Sequence, residues 1–313
     1  MTNKIKNKRI NNETIRKAGS LLISFGLMFL AFFFIPPNTP TVKEQAIKQA
    51  ESKQEARKEA FARQIDVEAK AFVVYDIESG QILFSKDEKT ILPLASLTKI
   101  MTALTASDLA KNDTMVNIGD SKEKNTGIIT PKEKWGLEKL INLTLVSSSN
   151  FGAESIASVI GASTQTNFIG AMNQKAKILG LEGMSFTNET GLDINNAISG
   201  ANGSALDVAK LFTYVLKNKP GIFEATKFKV ITETSLDNKN HTAINTNEII
   251  NKIPGLIASK TGFTNMAGGN LAIIANLGLR HPIAFVVMGS SEKGRFADTE
   301  KLVQVTEEYL SAN

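Results

Sequence analysis

Several residue types are absent or scarce in this chain of 313 residues, and each shortage excludes a class of protein. There is no cysteine, which excludes disulfide scaffolds, thiolate zinc sites and cysteine nucleophiles. The two histidines are His241 and His281, so a histidine-rich metal site is disfavoured and a Ser-His-Asp triad would depend on one of them. We predict no metal site, and we expect both histidines to be exposed, His281 in a turn beside Pro282.

Beyond residue 17, the chain carries no excess of positive charge. The formal net charge is +5, but residues 1–17 alone contain six basic side chains and one acidic side chain. The rest of the chain is therefore balanced, and a basic face for phosphate groups has no support. Because this balance leaves no basic face, we exclude nucleic acid as a partner. With 42% hydrophobic and 21% charged residues, the composition is that of a globular protein.

A long uncharged run follows the basic tail. Residues 18–35 contain no charged side chain, and a helix of that length spans roughly 27 Å, enough for the hydrocarbon core of a bilayer. Basic residues before the run place the tail in the cytoplasm and the rest of the chain outside. A cleaved signal peptide is the alternative, but proline-rich residues 36–40 replace the usual small-residue cleavage site. We predict a cytoplasmic tail (1–17) and a single-pass transmembrane anchor (18–35) in the cell membrane, with the remainder extracytoplasmic.

Residues 36–66 connect this anchor to a body of different composition. Residues 42–63 are rich in Ala, Glu, Lys, Gln and Arg, the strong helix formers. Thr41 and Glu44 have the spacing of a capping box. We expect a solvated helical stalk without chemistry of its own, followed by one globular domain over residues 67–313.

Apolar patterning predicts strands at both ends of the body and helices between them. Residues 71–76 and 81–85 are apolar-rich runs around a short turn, which indicates a β-hairpin. Periodic segments predict helices over 96–110, 137–146, 151–160, 205–216 and 294–310, and strands over 270–276 and 283–288. This order favours an α+β fold, in which early and late strands share one antiparallel sheet and a helical subdomain is inserted between them.

Three short motifs can carry chemistry: S-L-T-K at 96–99, S-S-N at 148–150 and K-T-G at 260–262. Ser96 and Lys99 are three residues apart at the start of a predicted helix, so they share a face, and backbone N–H groups there can bind an oxyanion. The second motif lies at the break between two helices. The third lies beside a sheet edge, where a substrate backbone could pair. The S-x-x-K spacing recurs at 121–124 and 290–293, so it is not decisive alone.

The order of these motifs, with 52 residues between the two serines and 112 more to the lysine, resembles the penicillin-binding protein and serine β-lactamase superfamily. Longer strings narrow the resemblance to the low-molecular-weight D-alanyl-D-alanine carboxypeptidases of peptidase family S11. These strings lie at 69–106, 185–193, 244–250, 260–275 and in the closing segment G-S-S-E-K-G-R-F-A-D-T-E-K-L. The resemblance covers about residues 67–313 and implies a β-lactamase/transpeptidase-like domain, here preceded by a transmembrane helix.

The resemblance also implies a role for each motif residue. Ser96 would be the nucleophile, and Lys99, held largely neutral, would accept its proton. Ser148 would relay a proton to the leaving D-alanine, and Asn150 would orient the substrate amide and Lys99. The substrate-binding set would hold the terminal carboxylate and the reacting carbonyl, the latter through the N–H groups of Ser96 and Phe263; the set comprises Lys260, Thr261, Gly262, Phe263 and Arg295.

No cofactor is implied, because the lysine takes the place of the histidine of other acyl-transfer enzymes. The implied substrate is the peptidoglycan stem pentapeptide, and β-lactams are the implied inhibitors. Three alternatives stay open: an endopeptidase acting on D-alanyl cross-links, a class A-like β-lactamase, and a non-catalytic muropeptide-binding wall protein. Class A β-lactamases need a glutamate in an E-x-x-L-N string after S-x-N. Residues 189–193 only approximate that string, and the N-x-x-G-L pattern of the carboxypeptidases explains residues 188–192.

Overall fold

The structure, a computed structural model, describes residues 42–120, 127–278 and 281–312. It divides into two units, the first ending at Arg57 and the second beginning at Lys58. The predicted cytoplasmic tail, the transmembrane anchor and the first residues of the stalk lie outside the described residues. Within the described ranges, no helix combines the length and the apolar character that crossing a membrane requires.

Seven α-helices occur in the described ranges, and the first confirms the helix predicted over residues 42–63. They are α1 Val42–Ala62, α2 Thr98–Leu109, α3 Leu137–Val146, α4 Asn150–Thr164, α5 Phe168–Ile178, α6 Ala205–Asn218 and α7 Gly294–Ser311, with 3₁₀ helices at Ala95–Leu97 and Pro220–Lys227. Residues 43–56 of α1 are exposed, as expected of a helix that is polar all round. Its last turn belongs to the second unit, where the Phe61 ring lies edge-on to Tyr309 at 5.7 Å. The domain bounds and the stalk role stay predictions.

Among the described residues, the strands form one main sheet and three small ones. They are β1 Ala71–Asp76, β2 Ile82–Lys86, β3 Leu92–Pro93, β4 Met115–Asn117, β5 Lys134–Gly136, β6 Ser185–Phe186, β7 Ala201–Gly203, β8 Val230–Thr234, β9 Asn240–Ile244, β10 Leu256–Thr264, β11 Gly268–Asn276 and β12 Pro282–Ser290. The main sheet has the order β10-β11-β12-β1-β2, and all its pairs are antiparallel. The predicted sheet of early and late strands is therefore confirmed, and β10 lies at one edge.

Both faces of this sheet are covered, so its central strands are apolar on both sides. In β12, Val286 belongs to the larger core, whereas its neighbours Phe285 and Val287 belong to the smaller one. Helix α7 covers the smaller core with a stripe that includes Leu302 and Tyr309. The larger core fills the space between the opposite face and the inserted helices.

The inserted helical region is centred on α2, whose residues Thr98 to Ala106 are all buried. The prediction for α3 matches its observed bounds, and those for α2, α4 and α6 differ by a few residues at the ends. Several elements were not predicted, among them helix α5 and the hairpin β8–β9. Helix α5 has its buried residues Phe168, Met172 and Ala176 at four-residue intervals, a signal hidden by intervening Gly and Asn. The hairpin β8–β9 is rich in threonine and lacks an apolar run.

Candidate active site

The predicted nucleophile lies in a short turn between β3 and α2. Ser96 is the middle residue of the 3₁₀ helix Ala95–Leu97, and the α-helix begins at Thr98, two residues later than predicted. Ala95 has a φ of +47°, a left-handed conformation that strains a residue with a Cβ. The Thr98 hydroxyl donates to Ala95 O at 2.7 Å and helps to hold this turn. Ser96 is half-buried, and it lies just before the positive end of α2.

Lys99 is fully buried and makes three short hydrogen bonds. Its Nζ donates at 2.8 Å to each of Ser96 Oγ, Asn150 Oδ1 and Thr190 O. Burial lowers the pKa of Lys99 to about 7, although the negative charges of Glu154 and Glu189 oppose this shift. These contacts bring together three predicted site residues from two helices and the nucleophile turn.

This geometry defines what a neutral Lys99 can do. A neutral amine keeps two N–H groups and gains a lone pair. Asn150 Oδ1 and Thr190 O can only accept, so they take the two N–H groups. The lone pair is then left facing Ser96 Oγ, 2.8 Å away, whose O–H can donate to it. The site can therefore use Lys99 as a general base for Ser96.

A second lysine–serine pair lies beside the first. Ser148 occupies the break between α3 and α4 with a φ of +58°, and the Ser149 hydroxyl caps α4 by accepting from Gly152 N at 3.0 Å. Lys260 Nζ donates to Ser148 Oγ at 2.8 Å and to Thr261 O at 2.9 Å. Burial lowers the pKa of Lys260 well below its usual range, and the positive charges of Lys99 and Arg295 lower it further.

The K-T-G segment occupies edge strand β10, as predicted from its position beside the late strands. A Cβ on Gly262 would lie 2.9 Å from Leu94 O and 3.2 Å from Ser96 N, so only glycine allows the strand to come this close to the nucleophile turn. Thr261 is buried, whereas Phe263 is 41% exposed. The pairing of β10 with β11 is irregular between Leu256 and Ala258, just before the K-T-G segment.

Arg295, the remaining predicted site residue, reaches this strand from α7. Its Nη1 donates to Gly262 O at 2.8 Å, and its guanidinium lies 4.7 Å from the centre of the Phe296 ring. Burial lowers its pKa. Its observed contact is therefore with the backbone of β10, and its predicted contact with a substrate carboxylate stays a prediction.

The loop at residues 188–192 supplies a contact that the motif analysis did not assign. Thr190 contributes its backbone carbonyl to Lys99, so a search for reactive side chains could not find it. Asn188 Oδ1 shapes the loop by accepting from Gly191 N at 2.7 Å. Gly191 has a φ of +79°, and a Cβ there would overlap Ala95 O. The only sequence signal was the string S-F-T-N-E-T-G-L-D, which was assigned no role.

Comparison with known proteins agrees with this arrangement. The sequence profile of peptidase family S11, D-alanyl-D-alanine carboxypeptidase, matches residues 55–292. The chain belongs to this family. The family assignment confirms the resemblance drawn from the three motifs and their flanking strings, and it makes this S11 member a serine peptidase by class.

Relatives and solved structures extend the comparison. D-alanyl-D-alanine carboxypeptidase DacF of Bacillus subtilis (strain 168) is 30% identical over 244 residues, which are 75% of this chain and 61% of DacF. The D-alanyl-D-alanine endopeptidase of Pseudomonas aeruginosa is 30% identical over 239 residues, 74% of each protein. The crystal structure of penicillin-binding protein D2 from Listeria monocytogenes in its ampicillin-bound form has a TM-score of 0.66 and 28% identity, covering 76% of this chain and 97% of that one. The α+β fold is thus that of the penicillin-binding proteins, and the chain spans less than two thirds of DacF.

Proposed function

We propose that this protein is a serine-type D-Ala-D-Ala carboxypeptidase that removes the terminal D-alanine from peptidoglycan stem pentapeptides through an acyl-serine intermediate. One observation carries the proposal: Lys99 Nζ lies 2.8 Å from Ser96 Oγ, in a site where burial lowers the pKa of the lysine to about 7. A lysine with that pKa is substantially neutral near neutral pH, so it can act as the general base.

In the acylation step, Ser96 Oγ attacks the carbonyl carbon of the penultimate D-alanine, and its proton passes to Lys99. The carbonyl oxygen becomes an oxyanion, which we assign to the backbone N–H groups of Ser96 and Phe263. The close approach of Gly262 to Ser96 N supports this assignment. The C–N bond then breaks, and the leaving nitrogen takes a proton. Water releases the acyl group in a second step with the same groups.

Ser148 is suited to deliver that proton to the leaving group. It accepts a hydrogen bond from Lys260 at 2.8 Å, so its own O–H remains able to donate. Lys99 and Lys260 are close enough for the charge of one to lower the pKa of the other. In this proposal the proton taken up by Lys99 passes to Ser148, which gives its own proton to the leaving nitrogen.

The carboxylate end of the cleft is assigned to Lys260 and Thr261, with support from Arg295. A bound carboxylate would favour the charged form of Lys260 and so oppose the effect of burial on its pKa. Arg295 adds positive charge at this end, since it lowers the pKa of Lys260. It also holds β10 through Gly262 O. Edge strand β10 offers a backbone with which the substrate can pair.

We further propose that residues 18–35 anchor the protein in the cell membrane with the catalytic domain outside, joined by the stalk at 36–66. The uncharged run and the basic residues before it support this placement. Inhibition by β-lactams is proposed from the same acyl-serine chemistry, and the ampicillin-bound form of penicillin-binding protein D2 supports it.

The deciding experiment follows the full chain with a peptide ending in D-Ala-D-Ala and, separately, with benzylpenicillin. We expect D-alanine release, together with a long-lived penicilloyl adduct by intact mass, and the loss of both in Ser96→Ala. An adduct that disappears rapidly while penicillin is consumed would indicate a β-lactamase. A folded wild-type chain that forms no adduct and releases no D-alanine would indicate a non-catalytic wall-binding protein.

Endopeptidase action is the second candidate, because the similar Pseudomonas aeruginosa protein is a D-alanyl-D-alanine endopeptidase. Both reactions cleave a D-Ala-D-Xaa bond through the same acyl-serine, so the described groups serve either one. Assays on a pentapeptide monomer and on a purified cross-linked dimer separate them. A kcat/KM higher for the dimer would replace the carboxypeptidase proposal with the endopeptidase.

A further inference from the structure

The loop after β9 contributes a residue to the cleft that belongs to none of the three motifs. Thr246 Oγ1 lies 2.6 Å from Thr261 Oγ1. Thr246 N donates to Val146 O at 3.2 Å, and Val146 precedes Ser148 by two residues. Thr246 therefore contacts the K-T-G strand on one wall of the cleft and the end of α3 on the other.

Buried asparagines hold this loop in place. Asn245 Nδ2 donates to Thr226 O at 2.9 Å and to Phe228 O at 3.1 Å, and Asn245 Oδ1 accepts from Asn247 N at 2.9 Å. Ser259 Oγ, in β10, donates to the same Thr226 O at 2.9 Å. The loop and the strand both donate to Thr226 O. These buried hydrogen bonds therefore fix the separation between Thr246 and Thr261.

We infer that Thr246 is a positioning residue for recognition of the substrate carboxylate, an inference that rests on the proposed function. A threonine hydroxyl has one hydrogen to donate. When Thr246 donates to Thr261, the hydrogen of Thr261 is directed to the carboxylate, and the two bonds strengthen each other. Without Thr246, the Thr261 hydroxyl is free to rotate, and part of its donor strength is lost.

The test compares two probes that differ only in the carboxylate, benzylpenicillin and its methyl ester, as acylating agents of the full chain. Thr246→Val keeps the shape of the side chain and removes the hydroxyl. We expect the second-order acylation rate constant for benzylpenicillin to fall about tenfold, because a hydrogen bond to a charged group is weakened, while that for the ester is unchanged. The ratio of the two constants does not depend on the fraction of folded protein.

Two further variants serve as controls. Thr246→Ser retains the hydroxyl and should preserve the preference for the acid. Thr242→Val is the matched control, because Thr242 Oγ1 forms a similar pair with Thr232 Oγ1 at 2.9 Å on the exposed hairpin β8–β9. It should leave both rate constants at their wild-type values.

Two results would overturn the inference: an equal loss for acid and ester in Thr246→Val, which indicates a structural role, or no loss for either. Failure of the proposed function is distinguishable. A wild-type chain that is acylated but releases no D-alanine contradicts the carboxypeptidase proposal while the ratio still tests Thr246. A folded chain that neither probe acylates overturns both.

Discussion

The active-site cleft and the cluster around Glu133 both bury charged groups, but they compensate the charge differently. In the cleft, Lys99 and Lys260 are buried, and their hydrogen-bond acceptors are all neutral oxygens. In the cluster, the buried carboxylate of Glu133 lies 3.1 Å from Lys239 Nζ and 2.9 Å from His241 Nε2. The first arrangement surrounds two buried amines with neutral acceptors, and the second places a cation beside a carboxylate.

The cluster also corrects an expectation about His241. Its side chain is 12% exposed, so the prediction that it is exposed is wrong. The ring lies edge-on to Trp135 at 5.0 Å, and Nδ1 lies 2.7 Å from Ile128 O. Both ring nitrogens therefore face oxygen atoms, and the residue joins the hairpin β8–β9 to the segment before α3. His281 is 41% exposed, as predicted, beside Asp76.

The contrast shows that burying an ionisable group can serve either reactivity or the stability of the fold. Where a buried lysine meets only neutral acceptors, burial acts on its pKa, and the amine becomes a base. Where the buried carboxylate of Glu133 meets the cation of Lys239, the attraction offsets part of the loss of hydration. We therefore expect a mutation that removes a cleft lysine to lower activity and raise stability, and a mutation in the cluster to lower stability and leave activity unchanged.

Lys99→Met should give the largest effect on activity. Losing the general base should lower the acylation rate about a thousandfold. The same change should raise the free energy of unfolding by about 1 kcal/mol, since an apolar side chain replaces a buried amine whose hydrogen-bond acceptors carry no opposite charge. Benzylpenicillin acylation and urea unfolding measure the two effects. A variant that is both inactive and less stable would contradict the comparison.

The pH profile of acylation should show the next largest effect. Because burial lowers the pKa of Lys99 to about 7, the rate constant should rise through that pH and fall about tenfold for each pH unit below it. Above pH 7 the folded chain holds fewer protons than the unfolded chain, so stability rises with pH until the usual lysine pKa of 10.5. The stability gain of Lys99→Met should therefore shrink from pH 7 to pH 10. A gain that grows over that range would overturn this account.

Glu133→Gln should affect stability and not chemistry. Removing the buried charge leaves His241 and Lys239 without their partner and should lower the free energy of unfolding by about 2 kcal/mol. D-alanine release per folded molecule should be unchanged. Urea unfolding with an unaltered m-value measures the loss, and an unchanged midpoint would show that the pairing contributes nothing.

Lys239→Met is the matched control with the smallest expected effect. The Lys239 side chain is 60% exposed, so water already screens its pair with Glu133. We expect a loss of about 0.5 kcal/mol or less in the free energy of unfolding. A loss equal to that of Glu133→Gln would show that Glu133 stabilises the fold through Lys239 and not through the buried His241.

Much of this architecture could be read from the sequence because it follows local patterns. Local patterns predicted these elements: apolar runs for β1, β11 and β12, and the 3.6-residue period for α3. Packing on both faces of the sheet then covers the strands. The three motifs located Ser96, Ser148 and Lys260 through residue types and order. Helix α5 and hairpin β8–β9 escaped because their polar residues mask the periodicity that burial imposes.

By itself, the sequence determined the family, the sheet shared by early and late strands, and the side chains able to react. Only the tertiary structure decided which neutral oxygens surround Lys99, how Thr190 O reaches it, and that Thr246 lies against Thr261. Residue types specify which groups can donate, accept or attack. A lowered pKa and an oriented lone pair depend on burial and on distances of about 3 Å between distant segments, which form when the chain is packed.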